Sequence, residues 1–259
     1  MAKVSYNTQI LGLILELDFL LIFFSIVFLA AFIHGGVGFG FPMIATPLIA
    51  LYTDIQTAII YTLIPTLLVN IVSIANEGEF FKAIKKFYPL AILAMIGSAI
   101  GTYTLIYFSS DIFKIILAMA ILIYLFFDLV KIELPWIERN PKSSLLFFGL
   151  GSGILGGLTN VMSATLIIYA LESKFSKKEI IQSFNICFLF GKLVQIAIFT
   201  TSSVFTFQQF SESSLSLIVI AIALFFGIKI KKLINAELFK KIVKMILFSI
   251  SMMLFVQVY

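Results

Sequence analysis

A lysine in the middle of an apolar stretch is the sharpest chemical signal in this sequence. Lys192 lies near the middle of an apolar stretch over residues 180–202, between Phe190 and Leu193. Placing a cation at the centre of a bilayer costs about 2.5–3.5 kcal/mol on insertion scales, and both ends of the stretch are far for a snorkelling lysine. We therefore interpret Lys192 as facing a path for a negatively charged substrate. Gln195, three residues on, shares its helical face.

Two glycine-rich runs interrupt the longest apolar stretches. The first reads His34-Gly35-Gly36-Val37-Gly38-Phe39-Gly40-Phe41-Pro42, and the second extends from Gly149 to Asn160. Pro42 stands where a helix can restart, and Thr159 and Asn160 are favourable N-cap residues for a second restarted helix. Because helix N-termini carry free N–H groups and partial positive charge, two of them meeting at the midplane would bind an anion. The alternative is that the glycines only allow helices to pack closely.

A polar stripe follows three- and four-residue spacings along the stretch over residues 55–75. It comprises Thr62, Thr66, Asn70 and Ser73. It forms either interhelical hydrogen bonds or one wall of the same cavity. The residues that we expect to contact the substrate are Gly38, Gly40, Pro42, Thr46, Thr66, Asn70, Thr159, Asn160, Ser163, Lys192 and Gln195.

His34 precedes the first glycine run and is the only histidine of the chain. With an unperturbed pKa near 6.5, histidine can couple transport to protons. The alternative is a hydrogen-bonded histidine at a helix end. Both interpretations stay open from the sequence.

The composition is that of a membrane protein. Hydrophobic residues make up 61% of the 259 residues and charged residues 12%, against about 25% charged in soluble domains. The net charge of +5 comes from lysines between the apolar stretches, which argues against nucleic-acid binding. One cysteine and one histidine exclude an intrachain disulfide and a multi-histidine metal site, and we expect no cofactor.

Apolar stretches long enough to cross a bilayer number eight. They cover residues 18–51, 55–75, 88–108, 111–130, 144–171, 180–202, 214–230 and 238–258. The first is too long for the core of a cleavable signal peptide. Stretches 18–51 and 144–171 also exceed one crossing of about 20 residues, and each contains a glycine-rich run.

Lysine placement decides between two layouts. Basic residues cluster in the segments 76–87, 131–143, 172–179 and 229–244, and the turns at 52–54 and 203–213 have none. The positive-inside rule places basic segments in the cytoplasm. Eight single crossings would put two of these segments outside, whereas hairpins at 18–51 and 144–171 put all four inside.

The sequence therefore predicts an all-α polytopic membrane protein built from two inverted repeats, each a glycine-broken hairpin plus three transmembrane helices. The first repeat covers residues 1–130, a cytoplasmic linker covers 131–143, and the second repeat covers 144–259. Inverted repeats with discontinuous helices that meet near the midplane are a recurring transporter plan.

This arrangement resembles the sulfite exporter TauE/SafE family, also called the sulfonate uptake permease superfamily. The resemblance rests on Gly35 through Pro42 with the following Leu48-Ile49-Ala50-Leu51, and on Gly149 through Gly157 followed by Thr165-Leu166-Ile167-Ile168. It implies transport of sulfite or an organosulfonate across the bacterial inner membrane. Thr159 and Asn160 depart from the family's pattern, which often has proline there.

The leading hypothesis is thus a secondary transporter for a small sulfur-containing anion that works by alternating access, with coupling to protons or ions and a homodimeric state left open. A carrier or channel for another small anion is the alternative. A scaffold protein would not need Lys192 at midplane. A membrane-embedded enzyme is disfavoured because the apolar stretches lack clustered carboxylates, histidines and cysteines.

Overall fold

The chain folds into eleven α-helices in the part that the structure describes. The structure is a computed structural model that describes residues 2–108, 111–129, 134–231 and 236–258, and the side chains of 18–108, 111–127, 134–231, 238 and 241–257. The helices are α1 Ala2–Val37, α2 Phe41–Ala50, α3 Ile55–Asn76, α4 Phe80–Tyr107, α5 Ile112–Leu129, α6 Pro135–Arg139, α7 Pro141–Thr159, α8 Ser163–Glu172, α9 Lys177–Thr201, α10 Phe207–Ile230 and α11 Ala236–Val258. The start of the expected linker, residues 131–133, lies outside the described residues.

The molecule is a polytopic membrane protein. Within the described residues, five helical segments are long and apolar enough to span a membrane: Asp18–Val37, Ile55–Asn76, Phe80–Tyr107, Lys177–Thr201 and Phe207–Ile230. Large apolar side chains point outward from them and from their neighbours; Phe147 is 67% exposed and Ile218 is 68% exposed. Such a surface is stable only against acyl chains. The expected all-α membrane fold is confirmed.

Two short helices follow the two breaks in the chain. At the first break α1 ends at Val37, Gly38 and Gly40 have φ of 100° and 105°, and α2 begins with Pro42 in its first turn. At the second break α7 ends at Thr159 and α8 begins at Ser163. We call Gly38–Gly40 the first break and Asn160–Met162 the second break.

The expected position of the second break was wrong in detail. The run from Gly149 to Gly157 is continuous helix within α7. Thr159 and Asn160 do not cap α8: Asn160 caps the C-terminus of α7 in the left-handed conformation at φ 67°, and Met162 is the N-cap of α8. A glycine-rich run remains helical when tertiary packing compensates its low propensity.

The glycines of α7 instead bring it against α4. A Cβ atom on Gly153 would overlap the carbonyl oxygen of Ala94, and one on Gly97 would overlap that of Leu150. Gly101 and Gly157 face each other in the same interface. Helices α1 and α10 also pack closely through glycine, since Gly227 lies against Phe32 and Gly35. Small residues that let backbones approach are the usual basis of close helix packing in membranes.

Ion pairs join the basic segments on one side of the molecule. Lys178 lies 2.8 Å from Glu79, Lys231 lies 3.1 Å from Glu77, Lys86 pairs with Glu179, and Lys174 pairs with Glu138. Single crossings would separate several of these partners by a bilayer of about 30 Å. The grouping supports the hairpin layout, whose sidedness remains a proposal.

Candidate functional site

At the first break, His34 joins the end of α1 to α2 and α3. The backbone N–H of Phe41 donates to Nδ1 of His34 over 3.1 Å, and Nε2 lies 2.7 Å from Oγ of Ser73. Because Nδ1 accepts, the proton of the neutral ring sits on Nε2 and is donated to the serine. His34 is thus a doubly hydrogen-bonded histidine at a helix end, which is one of the two interpretations from the sequence.

A residue of the other half holds the same break. Nδ2 of Asn185 in α9 donates to the carbonyl oxygens of Gly38 and Ile181, each at 2.7 Å. The Ile181 side chain fills the space beside Gly38, where a Cβ would come within 2.9 Å of its Cγ1. Positive φ and this contact both require glycine at position 38. At Gly40 only the φ does, since a Cβ would meet no atom closer than 3.9 Å.

At the second break, Asn160 crosses to the first half. Its Nδ2 donates to Oγ1 of Thr46 in α2 over 2.6 Å and to Oγ1 of Thr62 in α3 over 2.8 Å. Ser163, the first residue of α8, donates to Sδ of Met43 in the first turn of α2 over 3.3 Å. The N-terminal turns of the two short helices therefore meet.

Lys192 is completely buried, and its ammonium donates to Oε1 of Gln195. Nε2 of Gln195 in turn donates to the carbonyl oxygen of Gly157, one turn before the second break, over 3.3 Å. No carboxylate pairs with Lys192 within the described part of the chain. An ammonium has three N–H donors, and only one is accounted for by Gln195.

Two polar stripes connect the regions of the breaks: the stripe on α3 defined above, and a stripe on α9 that comprises Asn185, Lys192 and Gln195. On α3, Thr62 contacts the second break and Ser73 contacts His34, four residues before the first. On α9, Asn185 contacts the first break and Gln195 contacts Gly157, three residues before the second. Helices α3 and α9 therefore run antiparallel past the same two points. At 1.5 Å per residue, each stripe is about 15 Å long.

Both stripes and the second break carry buried polar atoms with no hydrogen-bond partner in the described structure. They are Nδ2 and Oδ1 of Asn70, Oδ1 of Asn160 and Oδ1 of Asn185. Asn70 is 1% exposed and lies on α3 between Thr66 and Ser73. A buried amide without partners costs free energy, so these atoms have capacity left for hydrogen bonds to water or to a bound molecule.

The remaining expected residues have local roles in the structure. Oγ1 of Thr66 donates to the carbonyl of Thr62, and Oγ1 of Thr159 donates to that of Leu155. Pro42 starts α2. Ser73, Asn185 and Met43 were not among the expected contact residues. A signal for Asn185 was present, since its spacing of seven from Lys192 places both on one helical face.

Comparisons with known proteins agree with this architecture. The model of the family described as Sulfite exporter TauE/SafE matches residues 23–254. No curated protein and no solved structure matches the chain. The family match covers both breaks and both stripes, and by it the chain belongs to the sulfite exporter TauE/SafE family of membrane transporters.

Proposed function

We propose that the protein is a secondary transporter that moves a small sulfur-containing anion, sulfite or an organosulfonate, across the bacterial inner membrane. The family supplies the transporter class. The negative charge of the proposed substrate rests on one observation: Lys192 is fully buried and has no carboxylate partner in the described structure. Since an unpaired buried cation is costly, an anion is the natural counter-charge.

The proposed binding region lies between the breaks. Lys192 and Gln195 stand on one wall, Asn70 on the other, and Asn160 with the first turns of α2 and α8 closes one end. Gly38, Gly40 and Pro42 shape the first break. The contacts near the second break involve Thr46, Thr66, Thr159 and Ser163. Irregular backbone at membrane depth is tolerated where it is buried in protein or lines a cavity.

Alternating access follows from the proposed inverted repeat. Helices α3 and α9 are equivalent members of the two halves in that layout, and their antiparallel course is what an inversion requires. In the same layout α1 is equivalent to α7 and α4 to α10. The interface between α1 and α10 is therefore the counterpart of the interface between α7 and α4. Rocking of one half against the other would open the stripes first to one side and then to the other.

Proton coupling through His34 is part of the proposal. Its Nε2 proton already has an acceptor in Ser73, and protonation at Nδ1 would break the hydrogen bond from Phe41 and release the start of α2. His34→Gln should therefore flatten the pH dependence of flux. Unchanged pH dependence in this variant would rule out His34 as the coupling residue.

The decisive experiment measures sulfite uptake into proteoliposomes for the wild type, Lys192→Met and Lys114→Met. Charge-assisted hydrogen bonds contribute about 1.5–3 kcal/mol, so we expect Lys192→Met to weaken half-saturation roughly ten- to a hundredfold. Lys114 is the matched control: it is 7% exposed and donates to Oε1 of Gln257 in α11, not to a residue of either break. Wild-type transport by Lys192→Met would refute the anion site, and counter-transport that stimulates flux separates a carrier from a channel.

A further inference from the structure

At the second break, we infer that Thr46, Thr62 and Asn160 form a binding site for Na⁺. The site lies between the two halves, since Thr46 belongs to α2, Thr62 belongs to α3, and Asn160 follows α7. All three residues are fully buried. The site depends only on the contacts of these side chains, whereas its role in coupling transport to a Na⁺ gradient rests on the proposed function.

The two threonine oxygens converge on one point. Nδ2 of Asn160 donates to Oγ1 of Thr46 over 2.6 Å and to Oγ1 of Thr62 over 2.8 Å, and the two oxygens lie 3.4 Å apart. Thr62 gives its own hydroxyl proton to the carbonyl oxygen of Ile59 over 2.8 Å, so its lone pairs face Asn160. The amide N–H group therefore occupies the point at which both hydroxyl oxygens offer lone pairs, and a cation would bind at the same point.

The separation of the two oxygens fits an ion of the size of Na⁺. Adjacent ligands of an octahedral ion lie about 1.4 times the ion–oxygen distance apart, so about 2.0–2.1 Å for Mg²⁺ requires oxygens about 2.9 Å apart, and about 2.4 Å requires about 3.4 Å. Thr46 and Thr62 have the larger separation. Ca²⁺ has a similar size but recruits carboxylates, and no carboxylate bonds to these side chains in the described part of the chain.

Asn160 can supply a third oxygen. Its Oδ1 is buried and has no hydrogen-bond partner in the described structure. Rotation of the amide about its last torsion would break no hydrogen bond to Oδ1, and it would turn this oxygen toward the two hydroxyl groups. Without Na⁺ the amide N–H group bridges the threonines, and with Na⁺ the amide oxygen takes its place. The unmet oxygen gains a partner only in the second arrangement.

The end of α7 favours a cation at this position. Asn160 is the C-cap of α7, and a helix C-terminus carries partial negative charge and carbonyl oxygens without intrahelical partners. Helix α8 begins three residues later with its positive end. Transporters combine half-helix C-termini that coordinate Na⁺ with N-termini that face an anionic substrate. Gln195 connects Lys192 to Gly157 in the last turn of α7, so bound Na⁺ would add positive charge to the region of the proposed anion site.

The test is thermal unfolding of the purified full chain in detergent, in NaCl, KCl or choline chloride at equal ionic strength. Na⁺ should raise the Tm in a saturable manner because a ligand of the folded state stabilises it, and K⁺ and choline should not. Thr46→Val and Thr62→Val each remove one ligand with little change in shape. Each should raise the half-saturating Na⁺ concentration roughly ten- to a hundredfold. Asn160→Asp supplies charged oxygens at the same place and should lower that concentration.

Thr102→Val is the matched control, because Thr102 is also fully buried and its hydroxyl donates to the carbonyl of Ser98 in its own helix over 2.7 Å. It should retain the wild-type response to Na⁺. An equal Tm in NaCl and choline chloride, a response that survives both substitutions at Thr46 and Thr62, or a weaker response of Asn160→Asp would overturn the inference. Sulfite uptake by the wild type would then leave the transport function standing. A Na⁺ response without sulfite uptake would instead refute the function and leave the site.

Discussion

Asn160 ends one helix and ties both halves of the proposed site together. Its backbone adopts the left-handed conformation that stops α7, and its amide reaches Thr46 and Thr62 in the first half. Asparagine is the residue, after glycine, that tolerates this conformation best. The local stop and the long-range contact therefore depend on the same side chain.

Two substitutions separate these contributions. Asn160→Gly keeps the left-handed backbone and removes two hydrogen bonds, so we expect it to lower the free energy of unfolding in detergent by about 1–3 kcal/mol. Asn160→Ala should cost about 1–2 kcal/mol more, because alanine is strained at φ 67°. Asn140→Ala, at an exposed helix end with φ −130°, is the control and should change stability little. Equal losses for the glycine and alanine variants would show that the left-handed backbone relaxes.

At the scale of elements, the interface between α4 and α7 depends on the absence of side chains. Gly153→Ala would drive a methyl group into the Ala94 carbonyl, and the helices would have to separate. Overpacking of this kind costs about 1–3 kcal/mol, which thermal unfolding in detergent would register as a lower Tm. Gly151→Ala on the same helix meets no atom within 4 Å and should raise stability by about 0.5–1 kcal/mol. A raised Tm for both variants would mean that the close approach is not needed.

The start of α9 is held to the start of α4 by ion pairs around Glu79. Hydrogen bonds from Lys178 and Lys82 lower the pKa of the Glu79 carboxyl from 4.5 to about 2. These pairs border a cleft of about 330 Å³ that Lys86, Glu179 and Gln182 also line. The cleft lies next to the start of α9, whose Ile181 packs on the first break.

The sign of the pH dependence follows from the depressed pKa. A carboxyl with a lowered pKa stabilises the folded state above its unfolded pKa of 4.5 and loses that contribution as the pH falls toward about 2. The Tm difference between the wild type and Glu79→Gln should therefore be constant from neutral pH down to about 5 and shrink below that. Since Glu79 is exposed, the difference is small. A difference that vanishes already between neutral pH and about 5 would contradict the ion-pair assignment.

The two breaks show what the sequence predicts at this scale. The chain breaks after α1 because Gly38 and Gly40 adopt positive φ values that other residues rarely adopt. A neighbouring side chain, Ile181, additionally requires glycine at position 38 but not at position 40. Gly149 to Gly157 has the same composition, yet it stays helical because α4 presents Gly97 and Gly101 to it. Periodicity and composition cannot distinguish these cases, since the deciding partner is distant in the chain. The polar stripe of α3 and the burial of Lys192 were predictable, and the crossing contacts of Asn160 and Asn185 were not.

On the scale of the whole molecule, the lysine pattern predicted one basic face, and the ion pairs bring those segments together. The sequence alone favours hairpins over single crossings because the positive-inside rule applies to each lysine-bearing segment separately and needs no knowledge of distant contacts. The same layout makes α3 and α9 antiparallel, but the sequence could not show that they lie side by side between the breaks, because this relation arises from contacts between halves. The internal symmetry of the two repeats remains a prediction.

Sidedness is the property that most directly tests this layout. Cys187 is fully buried, so single cysteines can be introduced at exposed positions without background from the native thiol. An impermeant maleimide added to intact spheroplasts should label Gln208→Cys, in the first turn of α10, and spare Ser176→Cys at the start of α9. Both should label after permeabilisation, which controls for reactivity. Labelling of Ser176→Cys from outside would place the basic face outside and contradict the predicted orientation, because the ion pairs fix residues 76–87 and 172–179 to the same side.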